Sequence, residues 1–196
     1  MRFLLALLSV PACMAQTSPF LVHALESGME PAVWIFAQDR AGVRYEERET
    51  DARLKTTRAV RPDGIEIRTF DNERLRSTRK GTPPEPFGDK CLRAGDVWKG
   101  SAQMLGYKTF EIEHAQLDHR DLSSRAPALG CVALKQKTWK RGPKGWRLIS
   151  TIEAKSVYEG ELPLWLTGVS ASYKEVSAAD LDAAIARARE AVHRHE

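Results

Sequence analysis

Residues 54–70 read LKTTRAVRPDGIEIRTF, which is two extended segments joined by a turn. Pro62 sets the first central backbone angle of the turn, and Gly64 supplies a residue that accepts positive φ. The flanking segments, 54–60 and 65–70, contain β-branched residues and alternate in part between apolar and polar side chains. The stretch predicts an antiparallel hairpin, and other parts of the chain have the same character.

Three further segments have the composition of strands or hairpins. Residues 32–37 (AVWIFA) form a short, dense apolar run, which favours a buried strand. Residues 97–114 predict a second hairpin with a Leu-Gly bend in its middle. Residues 131–139 and 146–158 predict a third hairpin, because the turn between them contains Gly-Pro-Lys-Gly.

The connecting segments have less regular patterns. Residues 17–30 predict a short helix with its apolar residues on one side, ended by glycine and proline. Residues 81–88 (GTPPEPFG) predict a long surface loop in preference to a domain boundary. Residues 115–127 read as a polar excursion without a strand, and residues 162–166 read as an apolar docking segment around a proline.

The C-terminal segment, 178–195, predicts an amphipathic helix. Ser177 is a favourable N-cap residue, and Leu181 and Ile185 begin an apolar stripe at helical spacing. The fold class is therefore α+β, a mainly antiparallel sheet of hairpins with this helix packed against it, and a curved half-barrel is one form such a sheet could take. Residues 16–196 have the length of one domain.

The first fifteen residues resemble a cleavable secretory signal, which predicts a periplasmic or secreted protein. Arg2 precedes a short apolar run at residues 3–10, and the small residues Cys13 and Ala15 occupy the two positions that signal peptidase reads. The run is shorter than the ~20 residues needed to span a bilayer. A second interpretation remains, because residues 10–13 (VPAC) partly match a lipoprotein box that would acylate Cys13.

Export changes the expected role of the two cysteines that follow the signal. In an oxidising compartment Cys91 and Cys131 most simply form one disulfide. A metal-binding pair or a catalytic thiol are the alternatives. Neither cysteine has a CxxC partner or an adjacent histidine, so both alternatives rank below the disulfide.

Several short pieces of the chain resemble a loosely defined group of uncharacterised secreted bacterial proteins. The pieces lie between about Val60 and Val176, and they are the RPDG turn at 61–64, the cysteine at 91, LGYKT at 105–109, APALGC at 126–131, PLW at 163–165 and SYKEV at 172–176. The segment TGVS at 167–170 departs from the group's pattern. The resemblance implies a secreted domain with paired cysteines and no established activity. The layout of hairpins also resembles the half-barrel sheets of periplasmic lipoprotein carriers, an analogy of architecture that transfers no site.

One polar cluster has the residue types of a metal site. His114, Asp118, His119 and Asp121 lie close together in the sequence, beside two glutamates. The two histidines are five residues apart, so the loop would have to fold back to bring imidazoles and carboxylates together. A metal-dependent hydrolase using this cluster is the alternative function, and a solvated strand end is the simpler interpretation.

The third hairpin is strongly basic. No carboxylate occurs between residues 131 and 152, and two tryptophans flank the turn. Cations interleaved with indoles suit an anionic surface such as lipid headgroups, lipopolysaccharide or acidic glycan. The candidate residues are Lys135, Lys137, Trp139, Lys140, Arg141, Lys144, Trp146 and Arg147. Lysines that protect an exposed hairpin from aggregation are the simpler interpretation.

The chain carries no catalytic motif that would establish an enzyme. It has no GxSxG elbow, phosphate-binding loop or dinucleotide fingerprint, and its formal net charge is only +4. The sequence therefore favours a non-enzymatic exported module that binds an apolar or anionic envelope ligand. No cofactor and no nucleic-acid partner are expected, and the sequence does not specify the ligand, the partner or the oligomeric state.

Overall fold

A computed structural model of the chain describes residues 18–167 and 172–194, in which twelve strands form one open sheet. The first six strands follow one another as an antiparallel meander: β1 (Phe20–Gly28), β2 (Ala32–Gln38), β3 (Arg44–Thr50), β4 (Lys55–Val60), β5 (Ile65–Phe70) and β6 (Leu75–Lys80). Five more form a second meander: β7 (Asp96–Met104), β8 (Tyr107–Ala115), β9 (His119–Ala126), β10 (Val132–Gly142) and β11 (Gly145–Glu159).

The two meanders are joined where β11 pairs antiparallel with β1. The two-residue strand β12 (Lys174–Glu175) adds to the outer edge of β6 in parallel. The structure thus has the predicted fold class, a mainly antiparallel open sheet with a C-terminal helix. The sheet does not close into a barrel.

The sheet is strongly curved. The guanidinium groups of Arg44 on β3 and Arg125 on β9 both lie 5.4 Å from the centre of the Phe87 ring. Five strand steps separate β3 from β9. In a flat sheet those steps would place perpendicular side chains about 24 Å apart. The face that carries both arginines is therefore concave, and we call it the inner face.

The two helices pack on opposite faces. The short helix α1 (Leu164–Thr167) buries Leu166 against Ala37, Tyr45 and Ala59 on the outer face. The long helix α2 (Ala178–His193) packs on the inner face over β5 and β6, where it contacts Phe70. Because α2 covers only that end of the inner face, the middle of the face is left for a groove.

The start of α2 is capped by a side chain, as the sequence predicted. The Ser177 hydroxyl accepts a hydrogen bond from the Asp180 backbone amide at 3.1 Å. Behind the cap, Leu181 and Ala184 are fully buried against Phe70. The cap and the apolar stripe together fix where α2 begins and how it lies on the sheet.

Replacing Ser177 by alanine should lower the free energy of unfolding by about 1 kcal/mol, because one backbone amide at the helix start loses its acceptor. Urea denaturation of Ser177→Ala and of Ser177→Thr measures the loss. The threonine hydroxyl can still accept from the Asp180 amide and donate to the Asp180 carboxylate, so Ser177→Thr should unfold close to the wild-type midpoint. Equal losses in both variants would show that the cap does not stabilise α2.

The predicted helix at 17–30 was wrong, because residues 20–28 form strand β1. Phe20, Val22 and Ala24 alternate onto the inner face and are buried. The apolar residues between them lie on the outer face, so the run lacks a clear strand alternation. Strand β1 forms because neighbours pair with both of its edges, β2 on one side and β11 on the other.

The prediction that residues 115–127 contain no strand was also wrong, because residues 119–126 form β9. Strands β8 and β10 pair with both edges of β9. Its sequence, HRDLSSRA, looks like a loop because the side chains on its inner face are polar. The hairpins predicted at 54–70, 97–114 and 131–158 are all confirmed.

Candidate functional site

A groove of about 430 Å³ lies in the middle of the inner face. Side chains from both meanders line it, and so does the connection between β6 and β7. Its apolar floor contains Phe20, Phe36 and Ile152. Next to the floor the rings of Trp34 and Phe36 stack with their centroids 5.3 Å apart. The volume falls within the range of small-molecule sites in proteins, roughly 300–1,000 Å³.

The connection at residues 81–95, which we call the strap, contributes Phe87 and Arg93 to this groove. The strap carries little secondary structure, so it depends on specific anchors. Cys91 forms a disulfide with Cys131, which immediately precedes β10. Arg125 Nη1 donates a hydrogen bond to the Cys91 carbonyl oxygen at 2.8 Å. The strap is therefore held at the groove by a covalent bond and by a buried arginine.

Three arginines surround the single aromatic ring of the strap. The guanidinium of Arg93 lies 3.9 Å from the centre of the Phe87 ring, and those of Arg44 and Arg125 each lie 5.4 Å from it. Such contacts hold a cation against the face of an aromatic ring, at a gain of roughly 0.5–2 kcal/mol. They also bring three positive charges from three separate segments to one end of the groove.

Of these arginines, Arg125 has a direct counter-ion. Its Nη1 atom lies 2.5 Å from Oδ2 of Asp96, whose side chain is only 2% exposed. His114 Nδ1 lies 3.0 Å from the other oxygen of Asp96, and the Arg93 backbone amide donates to Oδ2 at 2.9 Å. Burial tends to raise the pKa of Asp96. The bonds from Arg125, the backbone amide and His114 outweigh burial and hold that pKa below its ordinary value.

Neither Arg44 nor Arg93 forms an ion pair with any carboxylate of the described residues. Arg44 instead donates to the side-chain oxygen of Gln38 and to the Gly130 carbonyl. Burial lowers the pKa of Arg93, and the positive charges of Arg125 and Arg44 lower it further, against a smaller opposite effect of Asp96 and Glu85. This end of the groove therefore holds excess positive charge.

Two of the remaining carboxylates of the groove have partners of their own, and a third, Glu85 on the strap, acts on Arg93 through its charge. Asp121 Oδ1 accepts hydrogen bonds from Thr138 at 2.5 Å and from Gln136 at 3.3 Å. Glu46 pairs with Arg58 on the next strand, 3.2 Å away. Neither of these two acids forms an ion pair with Arg44 or Arg93. Burial lowers the pKa of Arg44, and the charge of Glu46 opposes that effect in part.

The structure separates the residues proposed for a metal. His114 and Asp121 face each other across β8 and β9, but each is bonded to other groups. Asp118 pairs with His119 at 2.9 Å in the turn before β9. In the part of the chain that the structure describes, no three His, Cys, Asp or Glu side chains are grouped to hold a metal ion. A metal site at these residues stays a prediction without structural support.

The residues of the basic hairpin divide into two groups. Lys135 is paired with Glu153 at 3.0 Å, so it belongs to the sheet surface. The other cations of the candidate set form no ion pair within residues 18–167 and 172–194. Trp139 lies under the guanidinium of Arg120, whereas Trp146 is 42% exposed. Arg125 lies on β9, beside β10, but it pairs with Ala133 near the start of β10, whereas Lys140 lies at the other end of that strand.

Sequence reasoning missed the arginines of the groove. Arg44, Arg93 and Arg125 come from β3, the strap and β9, and no short-range pattern connects them. The segment 40–80 interleaves arginines with carboxylates, a pattern typical of a solvated face with weak ion pairs, so nothing in it distinguishes Arg44. The one available signal was the sequence of β9, because its inner-face residues are polar where those of a strand facing a core would be apolar.

Solved structures share the overall architecture. The crystal structure of an uncharacterized conserved protein from Thermus thermophilus matches with a TM-score of 0.58 and 8% sequence identity, over 82% of this chain and 91% of that chain. A structure of PNGF-II matches with a TM-score of 0.52 and 12% identity, over 88% of this chain but only 33% of that chain. At these identities the matches establish the fold alone.

A third match is weaker. The complex of MucA and MucB from Pseudomonas aeruginosa has a TM-score of 0.49 and 13% identity, over 84% of this chain and 60% of that chain. That similarity is too slight to support an inference about function. No protein-family model and no curated protein matches this chain significantly. The groove must therefore be interpreted from its own chemistry.

Proposed function

We propose that the protein is a non-enzymatic exported module whose groove binds a ligand with an apolar body and an anionic group. One observation carries the proposal: Arg44 and Arg93 lie beside an apolar floor, and neither forms an ion pair with a carboxylate of the described residues. The apolar body would lie on Phe20 and Phe36, and the anionic group would lie between the two guanidiniums. Arginine suits this role because its planar fork binds carboxylate and phosphate groups with two hydrogen bonds.

The electrostatic balance favours an anion over a neutral ligand. Partial burial, and then repulsion from Arg125 and Arg44, already disfavour the charged form of Arg93 and lower its pKa. An anion at this position would relieve both effects. Each hydrogen bond to a charged group contributes roughly 1.5–3 kcal/mol, so the anionic group would account for much of the affinity.

Export is supported by the sequence of residues 1–15 and is compatible with the disulfide. Among the described residues, no helix is both long enough and apolar enough to cross a bilayer. Mass spectrometry of the mature N-terminus would distinguish cleavage after Ala15 from acylation of Cys13. A free Met1 in protein from the native host would contradict export.

Three octyl compounds with different head groups test the ligand class. Octyl phosphate should bind at least tenfold more tightly than octyl glucoside or octyltrimethylammonium, because only the phosphate can neutralise Arg44 and Arg93. Inorganic phosphate should bind more weakly than octyl phosphate, because it leaves the apolar floor unused. Isothermal titration calorimetry below the critical micelle concentrations measures all four affinities.

A matched pair of arginine variants locates the site. Arg93→Gln should weaken octyl phosphate about tenfold, a loss of roughly 1.4 kcal/mol. Arg187→Gln removes the same charge from the exposed surface of α2, and its affinity should not change. If the three octyl compounds bind equally, or if both variants lose affinity equally, the groove is not the anionic site proposed here.

A further inference from the structure

The β10–β11 hairpin extends beyond its neighbour in the first meander. Strand β1 ends at Gly28, opposite Ser150, whereas β10 and β11 remain paired as far as Gly142 and Gly145. Five residues of β11 therefore project past the end of β1, a distance of about 16 Å at 3.3 Å per residue. We call residues 139–148 the hairpin tip. Most of its residues are exposed.

The hairpin tip carries more positive charge than the described chain offsets. Lys140, Arg141, Lys144 and Arg147 are exposed and form no ion pair in that part of the molecule. The only nearby carboxylate in the adjacent turn, that of Asp118, is paired with His119. The bond from His119 lowers the pKa of Asp118, and the charge of Lys140 adds to that effect. Arg58, Arg79 and Lys99, by contrast, pair with carboxylates on adjacent strands. The unpaired cations of the tip are therefore available to a partner.

Apolar side chains share the tip with these cations. Cross-strand pairing places Trp139 opposite Leu148 and Arg141 opposite Trp146, so all four side chains lie on the outer face. Trp146 is 42% exposed and Leu148 is 47% exposed. Lys140 lies opposite Arg147 on the inner face. The tip thus has an aromatic and aliphatic side flanked by cations.

Two neighbouring turns at the same end of the sheet also expose apolar residues. Met29, in the turn after β1, is 69% exposed, and its backbone amide bonds to the Ile149 carbonyl. Leu117, in the turn before β9, is 90% exposed, and the carbonyl of the next residue accepts from the Arg141 amide. Three adjacent turns therefore present apolar side chains along one rim, which includes the tip.

We propose that this rim docks the protein onto an anionic phospholipid bilayer. The inference is independent of the groove and goes beyond the binding proposed for it. Indole and aliphatic side chains partition into the interfacial region of a bilayer, and lysine and arginine meet the lipid phosphates. A lipid surface can contact three separate turns at once. The density of unpaired cations favours anionic over zwitterionic lipid.

A four-fold substitution tests the charge contribution. Lys140→Gln, Arg141→Gln, Lys144→Gln and Arg147→Gln are combined in one full-length variant. Its binding to vesicles of phosphatidylglycerol and phosphatidylcholine should be at least tenfold weaker than that of the wild type in a sedimentation assay. Wild-type binding should decrease as salt increases and should be weak on pure phosphatidylcholine.

The matched control removes four exposed cations from elsewhere. Arg40→Gln, Arg61→Gln, Lys80→Gln and Arg187→Gln change the net charge equally, and the first three positions lie at the opposite end of the sheet. The control should keep wild-type binding. If the control loses binding as much as the tip variant, or if the wild type does not bind anionic vesicles, the proposal is wrong.

A second variant separates docking from a purely electrostatic attraction. Trp146→Ala leaves every charge in place but removes the most exposed indole of the tip. It should weaken vesicle binding several-fold at both low and high salt, because interfacial partitioning of the ring is not screened. Unchanged binding at both salt concentrations would show that the rim does not insert into the bilayer interface.

Discussion

Removing the disulfide should be among the most damaging changes to this protein. The double variant Cys91→Ala/Cys131→Ala opens a loop whose ends are separated by 40 residues. In the chain-entropy account, such a cross-link stabilises the folded state by about 4 kcal/mol, because it restricts the unfolded chain. For a domain of this length the melting temperature should fall by roughly 8–16 °C.

The measurement is urea denaturation at pH 7 of the double variant, beside oxidised and reduced wild type. Cys91 is only 2% exposed, so the wild type should be reduced in denaturant and then refolded with reductant present. Reduced wild type should unfold at the midpoint of the double variant. A reduced wild type that keeps the oxidised midpoint would contradict the predicted role of the disulfide.

The same variant should also lose ligand affinity. The strap reaches the groove through Cys91, and Phe87 lies four residues before that anchor. Without the covalent bond, the hydrogen bond from Arg125 and the ring contacts would have to hold the strap alone. We expect octyl phosphate to bind more weakly to the folded double variant, measured well below its melting temperature. Wild-type affinity would show that the strap does not form the groove.

Local sequence patterns predicted the hairpins well because their causes are local. The turn at 61–64 contains both a proline and a glycine, and Gly64 has φ +84°. A Cβ atom there would lie 2.6 Å from the Gly81 carbonyl oxygen, so glycine is required at this position. The N-cap at Ser177 is local in the same sense. Such features could be recognised without knowledge of the rest of the chain.

The groove could not be predicted because its causes are not local. Strand β9 carries Asp121, Ser123 and Arg125 on the inner face, where a strand facing only a core would be apolar. The polar composition that hid the strand is the composition that makes the groove polar. The prediction at strand β1 failed for a different reason. Both faces of this strand are partly apolar, so its sequence lacks the alternation expected of a strand. Both strands form because partner strands pair with both of their edges.

Replacing Asp96 by asparagine should lower the free energy of unfolding by an amount comparable to the loss of the disulfide, through a different cause. The Asp96 side chain is almost fully buried and bonded to Arg125, whose side chain is 14% exposed. Removing one partner of a buried ion pair typically costs about 3–5 kcal/mol, because the other charge stays buried without compensation. We expect Asp96→Asn to lose about 3 kcal/mol at pH 7, near the lower limit, since Arg125 keeps its bond to the Cys91 carbonyl.

The stability difference between wild type and Asp96→Asn should depend on pH in one direction. The folded pKa of Asp96 lies below the unfolded value of about 3.9. The unfolded chain therefore takes up the proton first as the pH falls, and the contribution of Asp96 is complete only above about pH 5. Urea denaturation should show a constant difference from pH 7 to pH 5 that shrinks below about pH 5. A difference that persists unchanged at pH 2.5 would contradict this assignment.

Asp182→Asn is the matched control for the loss of a paired aspartate. Asp182 pairs with Arg68 at 2.6 Å, but its side chain is 58% exposed. Solvent screens such pairs, so Asp182→Asn should lose less than about 1 kcal/mol. A loss as large as that of Asp96→Asn would mean that burial does not distinguish the two carboxylates.

Asp96→Asn also distinguishes two influences on ligand affinity, the charge of the groove and the stability of the fold. The substitution removes the one carboxylate bonded to the arginines around Phe87 and leaves their positive charges in place. The folded variant should therefore bind octyl phosphate about fivefold more tightly, a gain of roughly 1 kcal/mol, although it is less stable. The disulfide variant should lose both stability and affinity. Opposite changes in affinity from two destabilised variants would trace binding to the charge of the groove and not to the stability of the fold.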